Sequence, residues 1–278
     1  MDDFFAGQAH YQQALLTPAD PNEVIEVAGV VHASGAGASR FGGEEDWTFI
    51  FSLQPWRSPD GSIDYRELTI RKRVSEVEKD DLWDYIKRYD VLGMTIQMAD
   101  PRTYEAKKLN AILVGSLHKI SGDIELDSRA IQMQQPVTFD DKYFGTFTLD
   151  RSINWYETDT RWGAARIILY LATDNSDEIA GLLDSAKAMW KDQRAWNKRI
   201  RDFAVQELLV LKNETWLDVG EQEVTADQFK KRMTLESITL HPDGDFTFMH
   251  EDGDLFCGHA IEVSGNLTDG PTDADIPG

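Results

Sequence analysis

The chain has 278 residues, 41% of them hydrophobic, with 28 Lys and Arg against 49 Asp and Glu for a net charge of −21. That apolar content suits a packed core and excludes a disordered chain, and no window approaches the roughly 20 apolar residues that span a bilayer. A single cysteine, Cys257, excludes an internal disulfide and a cysteine-based zinc cluster.

The first twenty residues read as a lead-in or a short helix ending near Pro18. Val24 to Ala33 carries a β-branched run and is expected as a strand, followed by a flexible glycine-rich loop from Gly35 to Gly43. Trp47, Phe49, Phe51 and Leu53 alternate with the period of a half-buried strand. Ser58-Pro-Asp-Gly61 is a turn signal and Tyr65 to Val74 returns as a strand, so a hairpin is expected. Leu82, Tyr85, Ile86 and Tyr89 fall at helical spacing, which predicts a short amphipathic helix over Val77 to Tyr89. Gly93 to Met98 reads as a strand stopped by Asp100-Pro101, Tyr104 to Leu117 fits either helix or strand, and Ser121 to Val137 is polar and β-leaning. Gln134-Gln-Pro136 is the expected boundary between an N-terminal, mostly stranded α+β unit over 1–136 and a C-terminal α+β unit over 137–278.

In the second half, Tyr143 to Leu149, Ile153 to Thr158 and Ala164 to Ala172 read as three strands of a meander. Asp174-Asn-Ser-Asp177 supplies N-cap chemistry for a long helix. Ile179, Leu182, Leu183, Ala186, Trp190, Ile200, Phe203 and Ala204 keep to one broad stripe of it, with Lys and Arg opposite. About 35 residues exceeds the usual helix length, so a break or bend is expected around Leu208 to Leu211. Thr225-Ala-Asp-Gln228 fits a capping box that opens a short helix through Arg232. Ser237 to His241, Asp245 to Met249 and Leu255 to Val263 then form an expected three-stranded antiparallel meander. Its turns are Asp243-Gly244 and Asp252-Gly253, because glycine accepts positive φ. The fold class is α+β, mainly antiparallel β-sheets with one long amphipathic helix in the second half.

From Glu214 onward there are 15 acids and three bases, Lys230, Lys231 and Arg232, which places −12 of the net charge in the last 65 residues. Such a surface repels phosphate backbones, so the expectation is no nucleic acid; a basic protein is the partner it would attract. Met1-Asp-Asp-Phe-Phe carries acids where a secretory signal carries Lys or Arg, so a cytoplasmic protein with no membrane partner is expected.

No Gly-Lys-Ser/Thr closes a phosphate loop, and Gly35 to Gly42 has the wrong spacing for a dinucleotide fingerprint. Neither a Gly-x-Ser-x-Gly elbow nor a His-Glu-x-x-His pair occurs. No cofactor, no metal and no catalytic residue is therefore assigned. Cys257 lies two residues before His259, which on a strand is one face, and reads as a small buried cysteine. Asp252, Asp254, Asp269, Asp273 and Asp275 cluster around Gly253 and Gly270. Hard cations want several oxygen ligands, but this is not the spacing of an EF-hand, and two of these acids also form turns. Together with His259 these five acids are the candidate binding residues. Trp190 sits on the apolar stripe of the long helix; Trp196 lies further off it, with helix packing as its reading and exposure as the alternative.

Phe144-Gly-Thr-Phe-Thr-Leu-Asp150, Trp155 with the acid after it, the long Trp-containing helix and Leu235-Glu-Ser-Ile carry a resemblance, and the run from Asp252 to Ile276 carries it furthest. On these residues the second half, roughly Val137 to Gly278, resembles a bacterial family, the domain of unknown function 2262. The resemblance implies an α+β domain of bacterial origin, brings no catalytic residues and leaves the activity open. The reading favoured by the residues is a non-enzymatic acidic binding protein, such as an immunity-type antagonist of a basic toxin. The alternatives are a metal-dependent or carboxylate-based hydrolase using Asp252, Asp254, His259, Asp273 and Asp275, and an accessory structural protein.

Overall fold

The structure, a computed structural model, describes residues 15–40, 44–59, 61–100, 108–217 and 220–277; most of the expected lead-in lies outside them. The chain falls into two compact units, Met1–Pro136 and Val137–Gly278.

In the first unit β1 (Ile25–Ser39), β2 (Trp47–Arg57), β3 (Glu67–Val74), β4 (Val91–Met98) and β5 (Lys108–Lys119) close into a barrel in the order β1-β2-β3-β5-β4. Closure requires β1 to pair with both β2 and β4, and β3 to run parallel to β5. This is the five-stranded Greek-key barrel known as the OB-fold. Phe49, Phe51 and Leu53 point inward, as their alternation predicts, and pack with Leu68, Ile70, Met94 and Ile96. α1 (Glu76–Tyr85) joins β3 to β4 and starts where the Ser75 hydroxyl accepts from the Glu78 N–H.

Two expectations change in this unit. The first part of the expected glycine-rich loop is strand, its residues 41–43 lying outside the described ones: β1 continues through Gly35 and Gly37 to Ser39, pairing Ala36 to Ser39 with Phe51 to Thr48. A 15-residue strand wraps a small barrel only by bending, and its two register shifts, Gly29/Val31 and Val31/Ala36, supply the bends. At Gly29 a Cβ would lie 2.7 Å from that of Trp56. The β-leaning segment before the boundary holds α2 (Ile124–Met133). Asp123 caps it by accepting from the Leu126 N–H at 3.1 Å, and Leu126 and Ala130, one turn apart, pack on Val30 and Val91.

In the second unit β6 (Thr138–Asp141), β7 (Gly145–Asp150), β8 (Trp155–Trp162), β9 (Ala165–Leu171), β10 (Thr234–Leu240), β11 (Asp245–Glu251), β12 (Ala260–Asn266) and β13 (Gly270–Asp275) form one sheet. Its order is β13-β12-β11-β10-β9-β8-β7-β6. Two antiparallel meanders meet at β9 and β10, which run parallel with Ile168 beside Ser237 and Leu171 beside Leu240. Both sheets are thus mainly antiparallel, as expected, but mixed, since each contains a parallel pair. A parallel pair needs a crossover, and here the crossover is helical.

That crossover is α3 (Ser176–Lys191), α4 (Gln193–Thr215) and α5 (Ala226–Arg232). The one long helix expected is two, broken at Asp192 (φ −121°, ψ 35°) and continuous through Leu208 to Leu211. Leu182, Ala186, Met189 and Trp190 are the buried residues of α3, while α4 buries Trp196, Ile200, Ala204 and Leu208. At about 100° per residue Leu182, Ala186, Met189, Trp196, Ile200 and Ala204 fall within one stripe, so the two helices bury the same face on either side of the break. Trp196 is core, 9% exposed and edge-on to Phe246. Asn175 caps α3, and Thr225 with Gln228 forms the expected capping box of α5. Under the helices lie Phe147, Leu169, Ile238, Phe248 and Val263 of the sheet. Among the described residues no helix is long and apolar enough to cross a membrane.

His250 on β11 is 1% exposed. Burial, reinforced by the charge of Arg201, pushes its imidazole down from 6.5 to about 4. The unfolded chain therefore takes up a proton near pH 6.5 that the folded chain refuses until about pH 4. Stability from this residue is complete above the higher value and is lost as the pH falls through the window, by roughly 3 kcal/mol. Urea unfolding at about pH 7 and about pH 4.5 is expected to show the loss, and His250→Leu to flatten it; an equally steep variant would remove His250 as the cause.

Lys212 on α4 is buried, its ammonium 2.7 Å from the Glu221 carboxylate and 2.7 Å from the Trp216 carbonyl. Glu221→Gln leaves that charge in the core without its counter-ion, at an expected cost of roughly 2–4 kcal/mol. The Lys212→Met/Glu221→Gln double variant should lose less than the single one in thermal denaturation, and an equal or larger loss would contradict a charge-based cost.

Candidate functional site

The acidic end piece is put to structural use at its centre. Asp252 is 5% exposed, and its carboxylate accepts from the backbone N–H groups of Asp254 at 3.1 Å, Phe256 at 2.5 Å and Gly258 at 3.1 Å. The loop it gathers has left-handed φ at Gly253, Asp254, Cys257 and Gly258, so Asp252-Gly253 is not the tight hairpin turn expected. The turn drives Leu255 and Phe256 into the core, where Phe256 meets Trp216 at 5.7 Å and Phe229 at 6.0 Å. Gly253 is required there: a Cβ would lie 2.5 Å from the Arg232 carbonyl oxygen.

The other expected site residues are spread along this end of the sheet. Asp254 is exposed, and the half-buried His259 lies edge-on to Trp216 at 5.4 Å. Cys257, read as buried on a strand beside His259, is exposed in the loop. Asp269 precedes β13, and Asp273 and Asp275 stand on it opposite Ser264 and Glu262. The segment expected to follow the last strand is therefore the last strand, and the meander has four members. Its charges and Pro271 suit a sheet edge, where they discourage pairing with another chain. Among the described residues no three His, Cys, Asp or Glu side chains are grouped to hold a metal ion.

A different place in the second unit has the geometry of a ligand site. A cavity of about 610 Å³ opens where the β8–β9 turn, the first turns of α4 and the α5–β10 junction meet. Arg194, Asn197 and Arg201 line it from α4 at i, i+3 and i+7, one face of that helix, with Lys231 facing them from α5. Gln193 joins helix to turn by accepting from the Gly163 N–H at 3.0 Å. The lining thus holds three cations and, among the described residues, no carboxylate.

Arg201 is half-buried, and burial lowers its pKa from the ordinary value. So strong a base stays charged nonetheless. Its Nη2 donates to the Met233 carbonyl at 3.1 Å, but its Nε is buried without a partner. Trp162, 5% exposed, lines the same cavity, and its indole Nε1 is also buried without a partner. α4 has no acid in its first turn and no side-chain cap, which leaves the positive end of its dipole at the cavity. The sequence reading had placed the helix's Lys and Arg on the solvent side; the spacing Arg194, Asn197, Arg201 was the signal that could have found this face.

Residues 141–276 match the family described as "Uncharacterized protein conserved in bacteria (DUF2262)", and residues 12–133 match "Domain of unknown function (DUF7021)". No curated protein matches the chain. Among solved structures, one similar to it is the small single-stranded DNA-binding protein from Streptomyces coelicolor, at 10% identity and a TM-score of 0.24, covering 35% of this chain and 91% of that one. Another is a replication protein A heterotrimer bound to ssDNA, at 10% identity and a TM-score of 0.28, covering 60% of this chain and 42% of that one. The expectation of no nucleic acid is corrected here, since both similar structures are described by their DNA binding. Its physical fault is that net charge is an average: Arg71 and Arg73 alternate on one face of β3, and three cations line the cavity of an acidic unit. The second half of the chain thus matches the bacterial DUF2262 family, as its sequence resemblance implies.

Proposed function

We propose that this chain is a non-enzymatic binding protein whose second unit takes an anionic ligand in the cavity between α4, α5 and the β8–β9 turn. The observation that carries the reading is the pair of buried donors without partners, Arg201 Nε and Trp162 Nε1, in a wall that also holds Arg194 and Lys231. A buried polar group left unpaired costs roughly 1–3 kcal/mol. An oxyanion accepting from such donors recovers that cost, and a charge-assisted bond to a guanidinium is about twice as strong as a neutral one. The narrower form weighed from the sequence, an immunity-type antagonist of a basic toxin, has only the acidity of the last 65 residues behind it. The cavity is cationic and lends that form no support.

The reading is tested by titrating the full chain with acetate, sulfate, phosphate and a single-stranded oligonucleotide at constant ionic strength, following the melting temperature. At a ligand concentration of about 100 Kd the folded state should gain about 2.7 kcal/mol. Arg194→Gln and Lys231→Gln, both at exposed positions, should weaken binding about tenfold or more without lowering the melting temperature of the free protein. No response to any of these anions, or binding that survives both substitutions unchanged, overturns the assignment to this cavity.

A further inference from the structure

We infer that the cavity is shaped for an amphipathic organic anion, an oxyanion head carried on an apolar body, and not for a small inorganic ion. The inference rests on the anion-binding reading above and adds the class of ligand. Size is the first ground. About 610 Å³ lies within the range of roughly 300–1,000 Å³ that holds drug-sized organic ligands. An inorganic oxyanion displaces only a few waters, each about 30 Å³.

The second ground is how the lining is divided. Polar groups come mostly from α4 and from Lys231 on α5, with Thr234 added at the start of β10. Apolar groups come from the strand ends: Trp162 closing β8, Ala164 and Ala165 at the turn into β9, and Met233 and Leu235 where β10 begins. Both parallel strands thus begin at the cavity, β9 with Ala165 and β10 with Thr234 and Leu235, and the helix supplies a cationic wall. Arg201 bridges the two, since its Nη2 is tied to the Met233 carbonyl while its Nε remains without a partner. A head group seated at Arg201 would leave its body over Ala165 and Leu235, where burial replaces water on apolar surface.

Three demands follow for the ligand. It needs a delocalised negative head that a guanidinium can grip, an apolar body, and a total size well above that of acetate. Carboxylates and phosphate monoesters share that head chemistry.

The experiment uses the full chain and calorimetric titration at constant ionic strength. The probes are 2-naphthoate, 2-naphthyl phosphate, the neutral 2-naphthylmethanol, acetate and inorganic phosphate. At least one naphthyl anion is expected to bind about tenfold or more tighter than acetate, phosphate and the neutral alcohol. Whichever of the two binds better identifies the head group. Ala164→Asp, which puts a carboxylate at an exposed lining position, and Lys231→Gln should each weaken that binding about tenfold, with far-ultraviolet circular dichroism unchanged. Acetate or phosphate binding as tightly as the naphthyl anions would overturn the amphipathic class while leaving an anion site in place. Naphthylmethanol binding as tightly as naphthoate would show an apolar site that ignores charge, which also overturns it. If no anion binds, this inference and the reading it rests on fall together.

Discussion

The second unit is organised by the parallel pairing of β9 with β10. Every other neighbouring pair in its sheet is antiparallel and is made by strands that follow one another in the chain. To enter β10 in the same direction as β9, the chain must cross the length of the sheet, and α3, α4 and α5 make that crossing. Their apolar stripes then have one surface to bury, the face carrying Leu169, Ile238 and Phe248. The α4 stripe keeps the phase of the α3 stripe across the break at Asp192, so both helices bury the same face. The cavity lies where the two parallel strands begin side by side beside α4.

A second set of ties holds the far end of α4. Lys212 and Arg232 both reach Glu221, and Arg232 Nε donates to the Gly253 carbonyl at 2.7 Å. Next to that carbonyl the Asp252 carboxylate gathers three N–H groups and sends Phe256 against Trp216. The most recognisable stretch of the sequence is thus, at its start, a structural clamp between the β11–β12 loop and the helices. A buried carboxylate with three donors costs little to desolvate, whereas a buried ammonium needs a counter-ion.

Local features were legible in the sequence because local physics makes them. The alternation from Trp47 to Leu53, the Asn175 cap and the Thr225–Gln228 capping box all depend on residues within one turn or one strand. Features set by distant partners were not. Gly35 to Ser39 becomes strand because Thr48 to Phe51 is there to pair with it, and glycine composition alone argues for a loop. β13 combines proline, glycine and aspartate, all poor strand formers, and exists because β12 offers it an edge. The helix break was not legible either: Leu182, Ala186, Met189, Trp196, Ile200 and Ala204 keep one helical phase across Asp192, so the periodicity carries no mark of it. The candidate site was the least legible, because its lining comes from three well-separated stretches, Trp162 to Ala165, Gln193 to Arg201 and Lys231 to Leu235.

The contrast between −21 overall and a cationic cavity is a matter of range. At physiological ionic strength a charge on the surface is felt over a Debye length of about 8 Å, so acids elsewhere on the unit act on the cavity only weakly. Inside the cavity the opposite holds. Arg201 is half-buried, its pKa is lowered by burial, and its charge helps to push the buried His250 imidazole down. Water screens it less than it would an exposed guanidinium, so its pull on an anion is correspondingly stronger. A compact anion with a single head can therefore be drawn into a cationic cavity on a unit whose net charge is acidic.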